Sequence, residues 1–410
     1  KVPFTFKTNL QAAFVYRKNL TQPLNTPIQN LTKYNRKIAH RSRAAMGLKI
    51  LEKTQGKANI DDFIFNLFTI KNHKNPMAIQ DHFEVFFSDK VVWFYEDYAT
   101  ETALTDYSIR QKDKSNDSVQ VELVNLTKAK NPVNVSTYQD DQLISSVWVT
   151  GGKETEVFLL STKEVDKIVV NPNQFVLETN TNNNSLLIGK QFKKRQKRFR
   201  LYEDIPSPAH KSTYFTPNLN YNAYDGLLLG MVFHNGLVLN QPSTFFVSPF
   251  YATKKKNLAG SFSVLRRSYF QDRKLSGINY RFGLKSFHFD ENNRYYRISP
   301  EIFATFKPEG LSSNKRSTVG LQLISLLRGN SIQNNYDDFY VGSLSYALAN
   351  SNSAISKLFG VNLKVGESFQ KVAASYQNRK YYTDARQYTY RIFLGFLADT
   401  NNSGNYDFGI

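Results

Sequence analysis

Beyond about residue 212 the chain repeats one pattern: segments of about ten residues in which polarity alternates from one residue to the next. A period of two belongs to strands, because successive side chains point to opposite faces. In residues 278–285 (INYRFGLK), Ile278, Tyr280, Phe282 and Leu284 share one side, and Asn279, Arg281, Gly283 and Lys285 share the other. Residues 388–396 (YTYRIFLGF) group Tyr388, Tyr390, Ile392, Leu394 and Phe396, while residues 258–265 (LAGSFSVL) group Leu258, Gly260, Phe262 and Val264. About ten such segments occur, near 224–233, 244–252, 258–266, 278–289, 296–306, 318–326, 339–349, 357–365, 369–377 and 388–398. Turn-forming runs such as DENN, NNYDD and ANSNSA connect them.

A strand that crosses a bilayer needs roughly 9 to 11 residues, apolar toward lipid and polar toward the lumen, with aromatics at the interfaces. These segments have that character. A soluble sandwich also alternates, but here one side repeats Tyr and Phe while the other carries Gly, Ser, Gln, Arg and Lys. The expected fold is mainly β: an N-terminal helical segment, a small β-sandwich, then an outer-membrane antiparallel β-barrel of roughly 10 to 14 strands. Its lipid-facing positions would include Phe262, Tyr280, Phe282, Leu344, Tyr346, Ile392 and Leu394. Composition agrees, since 32 Phe and 24 Tyr among 410 residues favour strands. No apolar run reaches the roughly 18 residues of a spanning helix.

Two other textures precede the alternating region. From about residue 29 to 100 the spacing is helical: Ile38, Ala45, Leu48, Ile50 and Leu51 can face one core within 37–55, and Gly56 is placed to cap the helix. A second run covers 61–70 (DDFIFNLFTI), and 80–98 suits two shorter helices. Between 106 and 171 the period is two, with strands expected at 119–125, 143–149 and 154–160. The Asn-rich residues 180–184 (NTNNN) and a basic stretch then interrupt the pattern. The expected division is a helical segment at 1–104, a sandwich at 105–185, a basic linker at 186–211 and a transmembrane barrel at 212–410.

The chain carries 53 Lys and Arg against 34 acids, a net charge of +19, which favours polyanionic surroundings. Residues 190–200 (KQFKKRQKRFR) concentrate this charge, with Lys193, Lys194, Arg195, Lys197, Arg198 and Arg200 as a membrane-proximal patch. Cations interleaved with Phe suit single-stranded nucleic acid or anionic headgroups. The position of the stretch between sandwich and barrel favours outer-membrane lipid and lipopolysaccharide, or an acidic subunit, and no nucleic-acid partner is expected.

Catalytic chemistry is not visible. There is no cysteine, none of the six histidines (His40, His73, His82, His210, His234 and His288) lies in an HExxH, and no GxSxG or phosphate loop occurs. The histidines are read as surface or lumen residues. No catalytic residue, metal or cofactor is expected.

Short motifs in a fixed order carry a resemblance. Residues 48–56 (LKILEKTQG), 92–98 (VWFYEDY) and 105–109 (TDYSI), followed by a sandwich, resemble the C-terminal half of gluzincin metallopeptidases of the zinc aminopeptidase type. Residues 169–184 (VVNPNQFVLETNTNNN) and 220–226 (NYNAYDG) resemble the linker and barrel start of a bacterial outer-membrane branch of that family. The resemblance implies a peptidase-like remnant in the periplasm joined to a barrel. The family's zinc motif is absent, and where it places a catalytic tyrosine this chain reads AHRS at 39–42, with His40 or Arg41 in its place. The implied role is that of a non-catalytic accessory or structural subunit, held with other envelope proteins in a larger complex for barrel assembly, secretion or import. The alternatives are the C-terminal part of an active outer-membrane zinc aminopeptidase, or a simple diffusion porin. Residues 405–410 (NYDFGI) read as the start of another strand, so the barrel would be completed by further chain or by flanking segments near 199–202 and 215–220.

Overall fold

The computed structural model describes residues 4–69, 76–87, 91–127, 129–152, 155–188, 196–201, 210–236, 239, 241–270, 274–307, 314–328, 338–383 and 386–399. The chain forms two compact units, the first built from residues 1–198 with 204–212 and 238–241, the second from 199–203, 213–237 and 242–410.

The first unit begins with helices α1 (Phe4–Arg17), α2 (His40–Gln55), α3 (Lys57–Thr69) and α4 (Pro76–Phe87), and a π-helical turn covers Phe94–Thr100. Strands β1 (Tyr107–Lys114), β2 (Ser118–Asn125) and β5 (Thr155–Ser161) form one sheet in the order β1-β2-β5. A second sheet runs β4-β3-β6-β7, from β3 (Val133–Gln139), β4 (Gln142–Val149), β6 (Lys167–Val170) and β7 (Ser185–Leu187). The expected strands at 119–125, 143–149 and 154–160 are β2, β4 and β5, whereas α1, β1, β3, β6 and β7 carry weaker patterns. One core serves helices and sheets alike: Ile50, Leu51, Phe63, Phe83 and Trp93 join Val119, Val121 and Leu123 of the first sheet and Val133, Ile168 and Val170 of the second.

Helix α2 differs from its expected face. Ile50 and Leu51 are buried, but Ala45 and Leu48 are exposed, and Ser42, Arg43, Met46 and Gly47 are buried in their place. The helix is rotated because the aromatic turn lies against it. A Cβ at Gly47 would come within 2.8 Å of the Phe94 ring and 3.1 Å of Tyr98, so only glycine allows this approach. Arg43 can occupy the buried face because the backbone carbonyls of Gln22, Asp97 and Glu101 receive its guanidinium.

The second unit is dominated by one antiparallel sheet of twelve strands in simple chain order from β8 to β19. Its members are β8 (Gln196–Arg200), β9 (His210–Asn222), β10 (Gly226–His234), β11 (Ser243–Ala252), β12 (Asn257–Tyr269), β13 (Leu275–His288), β14 (Arg294–Phe306), β15 (Lys315–Arg328), β16 (Phe339–Ser351), β17 (Ile355–Gly366), β18 (Phe369–Tyr381) and β19 (Gln387–Asp399). The ten alternating segments coincide with β10 to β19, and the flanking segments near 199–202 and 215–220 overlap β8 and lie in β9. The basic stretch is not all linker, because its end forms β8.

Twelve strands lie within the expected ten to fourteen, but the sheet is open: β8 and β19 are its two edges. β8 has five residues and β19 thirteen, so β8 offers backbone partners for less than half of the opposite edge.

Candidate membrane-facing sheet

Direct cross-strand partners share a face, so the register shows which side chains line up across the sheet. Starting at Phe262, partners run to Val247 on β11 and Leu284 on β13, and Leu284 pairs with Ile298 on β14. On the same face Tyr280 pairs with Ile302, Ile302 with Leu321, Leu321 with Leu344, Leu344 with Leu363, Leu363 with Val372 and Val372 with Phe396. In the other direction Val247 pairs with Phe233, and Phe233 with Phe215. An apolar face therefore continues from β9 to β19.

This face meets solvent in the isolated chain. Leu394 is 71% and Phe396 68% exposed, and Leu219 at the far side of the sheet is 70% exposed. Six of its tyrosines lie toward the two margins, while Tyr280, Tyr346 and Tyr376 lie further inside their strands. Tyr221, Tyr251, Tyr296 and Tyr340 lie within two residues of strand ends on one margin, and Tyr388 and Tyr390 lie at the opposite one. Arg266, Lys357 and Lys380 reach the apolar face near strand ends, where long cationic side chains can extend toward water.

The other face mixes small and polar residues with two buried apolar clusters, one of Leu228, Phe250, Ala252 and Ala259 and one of Ile324, Phe339, Val341 and Phe369. Ser261 pairs with Lys285, Ser263 with Gly283, Gly283 with Ser299, Gly320 with Ser345, and Gly360 with Ser375. Glu301 links three strands across it, accepting from Arg281 Nη1 on β13 at 3.2 Å and from Gln322 Nε2 on β15. At one strand-end margin, the 220–226 motif closes a turn. Gly226 has φ of 75°, and the adjacent buried Asp225 accepts from Asn222 Nδ2 at 3.0 Å and from the His288 amide at 3.0 Å. The His288 ring nitrogen Nδ1 lies 2.6 Å from the same carboxylate. The β9–β10 turn is thereby fastened to β13.

All seven positions expected to face lipid share the apolar face, six of them exposed and Phe262 half-buried. In the basic patch, Lys197, Arg198 and Arg200 are exposed on β8, while Lys193, Lys194 and Arg195 lie outside the described residues. The histidines are less exposed than the sequence suggests, and His210 is half-buried. His234 and His288 are buried, His82 stacks on Phe63 at 5.5 Å, and the half-buried His40 has Nε2 2.9 Å from the Pro23 carbonyl oxygen. His73 lies outside the described residues.

The first unit contains a polar interior that no sequence motif revealed. Buried Arg43 donates to the carbonyls of Gln22 at 3.0 Å, of Asp97, and of Glu101 at 3.2 Å, and lies 4.8 Å from the Tyr98 ring. Asp97 Oδ2 accepts the amides of Lys130 and Asn131, both at 2.7 Å, tying the aromatic turn to the approach of β3. Glu178 accepts from Asn171 Nδ2 and Asn184 Nδ2, each at 2.7 Å, and from the Tyr107 amide at 3.1 Å. The Asn-rich stretch is thus no simple interruption, since Asn184 is fully buried in this network. Burial raises Asp97 and Asp106 to about 6 and Glu178 to about 8, and lowers His40. Among the described residues, no three His, Cys, Asp or Glu gather as a metal-binding group.

No family model matches the chain, and no curated protein matches it. The gluzincin resemblance therefore stands on its short motifs alone. Among solved structures, the chain is similar to the P pilus usher (PapC) translocation pore at 8% identity, covering 71% of this chain and 77% of that one, with a TM-score of 0.15. That score is too low for the likeness to carry an argument.

Proposed function

We propose that β8–β19 span the bacterial outer membrane as a β-barrel and that the first unit is a periplasmic, non-catalytic portion, the whole acting as a structural or accessory subunit of a larger envelope complex. The observation that carries this reading is the exposed apolar face running across β9–β19, whose reverse combines Ser, Gly and charged residues with two buried apolar clusters. Monomeric soluble proteins rarely expose contiguous apolar patches beyond a few hundred Å². A bilayer accepts such a face, and tyrosines near both margins suit its two interfaces.

The accessory role draws on the gluzincin resemblance together with the residues of this chain. It contains no HExxH, and His40 and Arg41 stand where the resemblance places a catalytic tyrosine. The His40 ring is engaged with the Pro23 carbonyl, and Arg41 is exposed. Stoichiometric zinc with chelator-sensitive aminopeptidase turnover in the full-length gene product would replace the accessory reading with the zinc aminopeptidase one. The small residues of the polar face favour a diffusion pore as a second reading, which large stable conductance steps in planar bilayers would select.

The membrane reading is tested by expressing the chain behind a signal peptide, fractionating envelopes and comparing heated with unheated samples in detergent gels. Outer-membrane recovery with heat-modifiable migration is expected. A chain that is soluble and monomeric without detergent overturns the proposal.

A further inference from the structure

We infer that the apolar face of the sheet carries, at one margin, a binding site for the phosphodiester of an anionic glycerophospholipid, formed by Lys357, Asn378, Lys380, Tyr388 and Tyr390. The register makes these five residues neighbours. Lys357 stands directly opposite Asn378, Asn378 opposite Tyr390, and Lys380 opposite Tyr388. Lys357 and Lys380 are therefore diagonal neighbours on β17 and β18, roughly 7 to 8 Å apart, a gap that two long cationic side chains can close on one phosphate. Asn378 Nδ2 donates to the Tyr390 hydroxyl at 3.2 Å, and the Tyr390 ring lies 6.1 Å from the rings of both Tyr376 and Tyr388. The next row inward, Phe359, Tyr376 and Ile392, continues the apolar face on which acyl chains would lie.

Charge identifies the occupant as anionic. Strands β9–β19 contain two acids, Glu301 on the opposite face and Asp399 at the far end of β19 from Tyr388, and neither neighbours Lys357 or Lys380 in the register. Both lysines are exposed, and Lys380 Nζ lies 5.3 Å from the centre of the Tyr382 ring. The charge is also confined to one margin. Toward the other ends of β16–β19, the apolar face carries Tyr340, Val365, Gln370 and Ala398, none of them charged. Cations that served only to border a membrane would suit both margins, whereas a headgroup site belongs to one. The adjoining apolar row favours a lipid over a free phosphate. The inference rests on the membrane reading, in which this face meets the bilayer.

The test titrates the full chain in neutral detergent with phosphatidylglycerol or phosphatidylcholine and counts bound lipid by native mass spectrometry. The first phosphatidylglycerol should bind about tenfold or more tightly than phosphatidylcholine, and Lys357→Gln combined with Lys380→Gln should reduce that preference to within about twofold. Arg266→Gln combined with Arg294→Gln, on the same face of β12 and β14, should leave the preference intact. Absence of a preference in the native chain, or equal loss in both variants, overturns the inference. Because the double lysine variant can fail to fold, Lys380→Gln alone is compared at unchanged heat-modifiable migration, and an unaltered preference there also overturns it. Displacement of phosphatidylglycerol by lipid A at lower concentration assigns the cluster to lipopolysaccharide, and displacement by glycerophosphate at lower concentration assigns it to a soluble phosphate; either overturns the phospholipid. Failure of the membrane reading appears separately, as a chain monodisperse without detergent.

Discussion

At Glu178 two physical effects oppose each other. Three N–H donors favour the carboxylate, but removal from water disfavours it more, and the side chain is pushed up to about 8. The sign of the consequence depends on proton counts. An ordinary Glu is ionised well below pH 6, so between pH 6.5 and 8 the folded state binds more protons at this site than the unfolded one. Stability must therefore fall as pH rises through that window. Asp97 and Asp106, raised to about 6, act in the same direction at lower pH. His40, lowered by burial, acts oppositely below about pH 6.5, the unperturbed imidazole value. The upper window consequently isolates Glu178. Urea midpoints of the first unit, followed by Trp93 and Trp148 fluorescence, should decrease from pH 6.5 to 8, and Glu178→Gln should flatten that slope. A midpoint that rises over this range in the native chain would contradict the assignment. None of this is legible in the sequence. Arg43 and Glu178 look like surface residues until their distant partners are known, the carbonyls of Gln22, Asp97 and Glu101 for Arg43 and the Tyr107 amide for Glu178, and the nearby Asn171 and Asn184 give no hint that they are buried around that carboxylate.

Strands are legible where each face has a single chemical character. In β13, Ile278 to Leu284 alternate with Asn279 to Lys285, and a slip of one residue would exchange every side chain between faces, so the pattern specifies its own register. β3 alternates only from Val133 to Ser136, and its polar side is buried as well, so the pattern there does not mark a solvent face, while β6 and β7 are four and three residues long. Helix α2 is legible as a helix but not in the face it buries, because an apolar count cannot foresee that Gly47 must meet Phe94. The apolar face of β16 supplies the sharpest test at this scale. Leu344 is half-exposed between Leu321 and Leu363, away from both tyrosine margins. In the membrane reading, Leu344→Arg should lower folding stability in lipid vesicles by about 2 to 4 kcal/mol, the cost of a cation near the bilayer midplane. Ser345→Arg, on the adjacent residue's opposite face, should cost clearly less. Equal costs at the two positions would mean that the face does not meet lipid.

For the whole molecule, a run of antiparallel strands in chain order is foretold by the sequence, because alternation and turns are local signals. Closure is expected from the same signals, yet the sheet is open between β8 and β19, because closure depends on two edges more than 180 residues apart, whose match no local pattern records. The basic residues 190–200 sit, in sequence, between β7 and β9 and include the β8 edge. On β8 the exposed Lys197, Arg198 and Arg200 accompany Phe199, which is 69% exposed. Cations beside an exposed aromatic suit an anionic interface, each charge contributing about 1 kcal/mol near such a surface. Neutralising Lys193, Lys194, Arg195, Lys197 and Arg198 together should leave heat-modifiable migration intact, because strands β9–β19 keep all their partners. With both proteins held in zwitterionic nanodiscs, the native protein should be retained on anionic over zwitterionic vesicles and the variant should not, and the difference should shrink with salt as the Debye length falls below about 8 Å. Single-stranded oligonucleotide binding with a steep salt slope, and no preference for anionic vesicles in the native chain, is the outcome that would assign the stretch to nucleic acid instead.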